Sequence, residues 1–394
     1  MRMILGTSLA TLLATAGLAA VAGPAAAVPT CMGQQATVVG TSGDDDLGGN
    51  PVLPDVVYLG AGNDTYHGDT SADLICGGGG NDLLYGGGGD DQVDGGKGKD
   101  RLTGGSGNDT LWGRVGPDNF FEGLGDDRIA GGKGVDVLSY GQLTSGITVD
   151  GGNATVTGAA AGTDEYGQVE TVRGTHQADT MNGGPGFDGF DGAGGNDTVD
   201  GNGGNDRLAG KDATVRGGDG NDVIVVSGGT ADGGPDADSI EATGGATVSG
   251  ADGADQIQVG RGANHAAGGA GNDLFALLGR RTGSRLDGGA GTDSLNLRKA
   301  KVGTRIDLAA GTGHWRGGSL GLQSIEVVRG SRGSDVIAGS AVAEYFDGRG
   351  GNDVLRGAGG NDILRGGKGY DRADGGAGGD ICATEVEVGC EIGA

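Results

Sequence analysis

The sequence predicts an all-β fold assembled from nonapeptide repeats, and three observations carry that prediction. Glycine supplies 96 of 394 residues, several times its ordinary share of about 7%. From Leu59 to Ser139, nine consecutive nonapeptides run without a gap, and the sixth place of each is Asp. The eighth place of each is apolar. A chain so rich in glycine excludes an ordinary helical domain, and with 35% hydrophobic and 4% aromatic residues it cannot build a thick layered core. Such glycine content belongs either to disorder or to a periodic fold. Disordered low-complexity chains have no fixed repeat, and collagen would need Gly at every third place with abundant Pro, whereas Pro occurs only 7 times.

The sixth-place residues are Asp64, Asp73, Asp82, Asp91, Asp100, Asp109, Asp118, Asp127 and Asp136; the eighth-place residues run from Tyr66, Ile75 and Leu84 to Ile129 and Leu138. The best copies read GGGGNDLLY (Gly77 to Tyr85), GGKGKDRLT (Gly95 to Thr103) and GGSGNDTLW (Gly104 to Trp112). They resemble the hemolysin-type calcium-binding repeat of the RTX family, G-G-x-G-x-D-x-U-x. The resemblance implies a right-handed parallel β-roll, a β-helix solenoid in which two nonapeptides make one coil. Each repeat would begin as a glycine-rich turn and end as a short strand.

Elementary chemistry supports the same reading. Gly at the first, second and fourth places permits positive φ and lets carbonyl oxygens point into a tight turn. An Asp carboxylate at the end of that turn adds charge, and calcium is a hard cation that takes six to eight oxygen ligands. Successive turns alternate between two edges, so Asp residues on one edge lie 18 residues apart: Asp64, Asp82, Asp100, Asp118 and Asp136 on one, Asp73, Asp91, Asp109 and Asp127 on the other. A single Asp of this kind reads as a solvated turn residue. A stack of exposed carboxylates one strand spacing apart, about 4.8 Å, repels itself unless cations sit between its members.

Along the chain, residues 1–27 read as a signal peptide: Arg2, an apolar stretch, then Gly23-Pro24 and the small residues ending at Ala27, after which cleavage is expected. A retained membrane anchor fits less well, because the run is short, Ala-rich and lacks a stop-transfer flank. Residues 28–139 form an N-terminal cap and the first array, where Asp45 and Asp55 take the Asp place of imperfect copies. Residues 140–174 read as a β spacer without an Asp ladder, and residues 297–329 duplicate it: Val169-Glu170-Thr171-Val172-Arg173-Gly174 matches Ile325-Glu326-Val327-Val328-Arg329-Gly330. Their alternating apolar residues suggest strands that continue the solenoid. Residues 175–296 are a second array with Asp179, Asp188, Asp197, Asp206, Asp222, Asp238, Asp255, Asp273 and Asp293; past Gly210 the Asp spacings keep one edge only. The third array and C-terminal cap, residues 330–394, carry Asp335, Asp353, Asp362, Asp371 and Asp380, with Glu344 replacing Asp once. All these Asp residues except Asp45, twenty-four in number, are candidate calcium ligands. Of the three possible pairings of four cysteines in an exported chain, Cys31 with Cys76 and Cys382 with Cys390 is favoured by their clustering; free thiols are the alternative.

A net charge of −26 argues against nucleic acid as a partner and against anionic membrane surfaces. No H-E-x-x-H pair is present among His67, His176, His265 and His314. One G-x-S-x-G string, Gly317 to Gly321, exists, but at this glycine content roughly one match is expected by accident, and no strand-to-helix elbow is predicted around it. The reading is therefore a secreted, extracellular, non-catalytic calcium-binding protein, monomeric and not inserted in a membrane, in which calcium binding and folding are one equilibrium. The runner-up is an extracellular adhesin or matrix protein that offers its spacers or its calcium-free edge to a glycan or protein.

Overall fold

A computed structural model describes residues 28–50, 53–278, 283–300, 302–315 and 318–390. The expected leader lies outside the described residues, as does Gly317 of the G-x-S-x-G string. Among the described residues every regular element is a strand, and together they make a parallel β-solenoid of about 19 turns. No helix among them is long and apolar enough to cross a membrane.

The nonapeptide period sends the chain alternately into two sheets. In the first array one sheet holds Val56–Ala61, Leu74–Gly79, Gln92–Lys97, Thr110–Val115 and Arg128–Lys133. The other holds Thr65–His67, Leu83–Gly88, Arg101–Ser106, Asn119–Phe121 and Val137–Ser139. Pairing is parallel with an 18-residue register, as in Leu84 to Leu102 and Leu102 to Phe120. Because side chains alternate along a strand, the eighth place of each repeat faces inward: Tyr66, Ile75, Leu84, Val93, Leu102, Leu111 and Phe120 are fully buried. Each such side chain contributes about 1.5–3 kcal/mol when buried, but the interior is only one residue deep per sheet. Several strands run six residues, longer than a short terminal strand, because they continue into the glycines of the next turn; Gly87 pairs with Gly105 just as Tyr85 pairs with Thr103.

Glycine serves two separate needs. Gly80 and Gly98, at the fourth place, have φ of +137° and +133°, and a Cβ on either would run into the carbonyl of the coil before. First-place glycines such as Gly77 do not have positive φ, contrary to the expectation for all three places. They are required for room, since a Cβ on Gly77 would stand 2.7 Å from the Gly95 carbonyl oxygen and collide with the Asp82 carboxylate.

The segment 140–174 builds a three-stranded meander inside the first sheet. Ile147–Asp150, Thr155–Gly158 and Gly162–Gly167 pair antiparallel with one another, while Gly162–Gly167 joins Arg128–Lys133 and Ile147–Asp150 joins Thr180–Asn182 in parallel. The second sheet passes directly from Val137–Ser139 to Thr171–Arg173. The segment 297–329 repeats this plan with Thr304–Asp307, Thr312–Trp315 and Gly318–Gln323. Each insertion thus gives the first sheet two strands that the second lacks. At the ends, Cys31 is joined to Cys76 and Cys382 to Cys390, with Cα separations of 5.6 and 5.8 Å; the first bond ties the hairpin of Thr30–Cys31 and Gln34–Gln35 to the strand Leu74–Gly79.

Candidate metal centre

The turn ending at Asp82 shows how the repeat builds its site. Asp82 follows the glycine turn, and its Oδ1 accepts the backbone N–H of Asp64 at 2.9 Å. Its own N–H donates to Asp100 Oδ1 at 2.8 Å. This step repeats along both edges. One ladder runs Asp45, Asp64, Asp82, Asp100, Asp118, Asp136, and the other runs Asp55, Asp73, Asp91, Asp109, Asp127. Later stretches run Asp179 to Asp197, Asp188 through Asp206, Asp222, Asp238, Asp255 and Asp273 to Asp293, Asp335 through Asp353 to Asp371, and Glu344 through Asp362 to Asp380. One oxygen of each carboxylate is therefore engaged by backbone, which relieves part of the expected repulsion between neighbours.

The second oxygen is left over. The Asp side chains were expected to be exposed; instead all but Asp188 are buried, because the turn folds the carboxylate beneath its own first-place glycine. In twenty of the twenty-four, Oδ2 is buried with no hydrogen-bond partner. A buried unpaired polar atom costs about 1–3 kcal/mol, more when charged, so twenty of them exceed the 5–15 kcal/mol net stability of an ordinary domain. Burial, with neighbouring Asp charges adding to it, pushes the carboxyl of Asp82 up to about 6, Asp91 to about 7, Asp238 to about 7 and Asp353 to about 7.

These residues fit a hard cation. The orphan Asp82 Oδ2 and the Gly95 carbonyl converge on the space that a side chain on Gly77 would fill. Among the described residues no group of three or more His, Cys, Asp or Glu side chains is placed to hold a metal ion, so a cation would draw most of its oxygens from backbone carbonyls, as calcium accepts. Asp55, Asp179, Asp188 and Asp335 differ, because their second oxygens already have donors. Asn50 N–H reaches Asp55 Oδ2, Gly184 N–H reaches Asp188 Oδ2, and the N–H of Thr175 and of Ser331 reach Oδ2 of Asp179 and Asp335, each at 2.7 Å, with the hydroxyls adding a bond to Oδ1. In the last two a hydroxyl residue replaces the second glycine of the turn.

Past Gly210 the two edges diverge. Asp206, Asp222, Asp238, Asp255, Asp273 and Asp293 line one, while the opposite turns present Ala213, Gly229, Ala246, Asn264 and Ser284. There the Asn264 amide does the work of closure: Nδ2 donates to the carbonyls of Gly260, Arg261 and Gly262, and Oδ1 accepts the N–H groups of Gly245 and Ala246.

The spacers are not without a ladder, contrary to the sequence reading. Asp127 N–H donates to Asp164 Oδ1 at 2.9 Å, Asp136 N–H to Glu170 Oε2 at 2.7 Å and Asp293 N–H to Glu326 Oε2 at 2.9 Å, and Asp371 N–H donates to Glu385 near the C-terminus. The signal was present: Asp164-Glu165-Tyr166 and Glu170-Thr171-Val172 have the acidic and apolar places of the repeat, with Glu standing for Asp and the glycines missing. Ser319 lies inside the strand Gly318–Gln323, opposite His314, and not at a strand-to-helix elbow.

No curated protein matches this chain. The profile of the RTX calcium-binding nonapeptide repeat (4 copies) matches residues 54–75, 67–102, 85–120, 123–142, 173–208, 210–231, 249–277, 320–355 and 347–382, more than half of the sequence. Glycine turns, an Asp ladder with orphan oxygens and a nonapeptide β-solenoid thus meet in one chain, which belongs to the family of RTX calcium-binding nonapeptide repeat proteins.

Proposed function

We propose that the protein is secreted and that calcium ions, held at the Asp carboxylates of its glycine turns, drive the folding of a monomeric rod. The observation that carries this is the row of twenty buried carboxylate oxygens without a partner. A divalent ion at each turn would neutralise them and draw the neighbouring carbonyls together, so binding energy would become folding energy. An oxidising compartment is supported by the two disulfides, and millimolar extracellular calcium suits modules that bind at about 10⁻⁴ to 10⁻³ M. Residues 28–139, 175–296 and 330–394 would be the calcium arrays and residues 140–174 and 297–329 structural inserts.

Titrating calcium into chelated protein, with far-UV circular dichroism and bound calcium followed together, tests this. Cooperative gain of β structure with about ten or more ions is expected; full β signal in EDTA overturns it. A second reading, an extracellular adhesin, is favoured by one feature. Beside the second insert an open cleft of about 670 Å³ is lined by Arg298, Lys299, Ala300 and Arg332, a cationic spot on a chain of net charge −26. Binding of an acidic polysaccharide that is lost when Arg298 and Arg332 are changed to Glu would support it.

A further inference from the structure

One turn of the first array breaks the pattern in a way that adds a ligand. In the nonapeptide Glu122 to Ala130 the first place, Gly in the neighbouring copies at Gly113 and Gly131, is Glu. At those neighbours a Cβ would collide with the carboxylate of the same turn, Asp118 or Asp136. The Glu122 side chain therefore enters the space that the other turns keep open. It is 1% exposed, and neither of its carboxylate oxygens has a hydrogen-bond partner. Its carboxyl lies within hydrogen-bonding reach of Asp127, whose Oδ2 is also buried and unpartnered. Asp164 is not a third free group, since its Oδ1 takes the Asp127 N–H and its Oδ2 takes the Tyr140 hydroxyl at 2.7 Å. Those bonds fix Asp127 from the side of the insert. A cleft of about 330 Å³, lined by Phe121, Glu122, Leu124, Leu143, Thr144 and Ala160 among others, lies beside the turn, between it and the insert.

Resting on the calcium reading above, we propose that Glu122 adds a second acidic side chain to the turn of Asp127 and so makes a cation site at the junction of the first array and the first insert, binding calcium more tightly than the turns around it, each of which supplies one acidic side chain of its own. The extra carboxylate brings one more negative charge to a buried ion than the neighbouring turns supply. The Asp164 and Tyr140 bonds hold Asp127 in place, so the ion would also pin the insert to the array.

The test is calcium release from the folded, calcium-loaded full chain into excess fluorescent chelator. In the wild type one ion is expected to leave at least tenfold more slowly than the rest. Both E122Q, which removes the charge and keeps the shape, and E122G, which restores the repeat, are expected to lose that slow phase while releasing the other ions at unchanged rates and keeping their β signal in saturating calcium. A slow phase that survives in both variants overturns the proposal by placing the slow ion elsewhere; the lack of any slow phase in the wild type overturns it too, and points to a proton shared by the two carboxyls. A wild-type chain that releases no calcium fails the calcium reading itself.

Discussion

The stretch from Asp206 to Asp293 carries two solutions to one problem on opposite edges of the same coils. On one edge each turn ends in an Asp whose Oδ1 joins a ladder and whose Oδ2 is stranded. On the other, the turn at Gly260 to Asn264 points its carbonyls at an amide nitrogen, and nothing charged is buried. A neutral amide supplies two protons to converging carbonyls and is complete by itself. A carboxylate supplies none, and needs a positive charge from outside. The difference teaches that the coil geometry does not itself demand a cation; the residue at the sixth place decides.

If that is right, the largest effect comes from removing calcium at pH 7.5. Amide exchange across residues 206–277 should rise by about 10³-fold or more on both edges together, because the edges share every coil; persistent protection beside Asn264 would show that its edge folds alone. Acid should partly replace the ion. The buried carboxyls hold protons more tightly in the ion-free folded chain than in the unfolded one, with Asp222 up to about 6 and Asp238 to about 7. Folding without calcium is thus favoured below the ordinary value of 3.8 and that advantage is lost as pH rises through about 6 to 7. Chelated protein should gain β signal between pH 7.5 and 5; a signal that stays flat or falls would contradict the burial of these groups.

Single substitutions contrast the edges more finely. Asp238→Ala removes the acceptor of the Asp222 N–H as well as the proposed ligand, and should cost about 2–4 kcal/mol in calcium while reducing bound calcium. Asn264→Ala should cost about 1–3 kcal/mol with no change in bound calcium. Equal losses of calcium in the two variants, measured on dialysed protein, would erase the distinction. Smallest of all, Thr175→Val should cost about 1 kcal/mol by stripping a hydroxyl from Asp179, again without loss of calcium; a drop in bound ions would place a cation at Asp179 after all.

Much of this was legible in the sequence. The invariant sixth and eighth places fix the coil, the register and the inward row from Tyr66 to Leu138, because an 18-residue coil leaves no other way to stack them. The cysteine pairs followed from their clustering. What stayed hidden were side chains whose role depends on a neighbour far along the chain. Asp164 and Glu170 receive N–H groups 37 and 34 residues away, a spacing set by the inserted meander and invisible to an 18-residue count. Glu122 was masked by the regular Asp127 that follows it. The burial of the carboxylates was missed because Asp in a glycine turn ordinarily faces water, and here the glycine's lack of a side chain is what lets it turn under.

The inserted meanders have a mechanical consequence. Each lengthens one wall of the rod by two strands, about 9–10 Å at the spacing of neighbouring strands, while the other wall steps straight across. Both inserts add to the same sheet, so at each of them the two walls fall out of step by two strands, and the extra length must be taken up locally, by bowing of the longer sheet or by a bend of the rod.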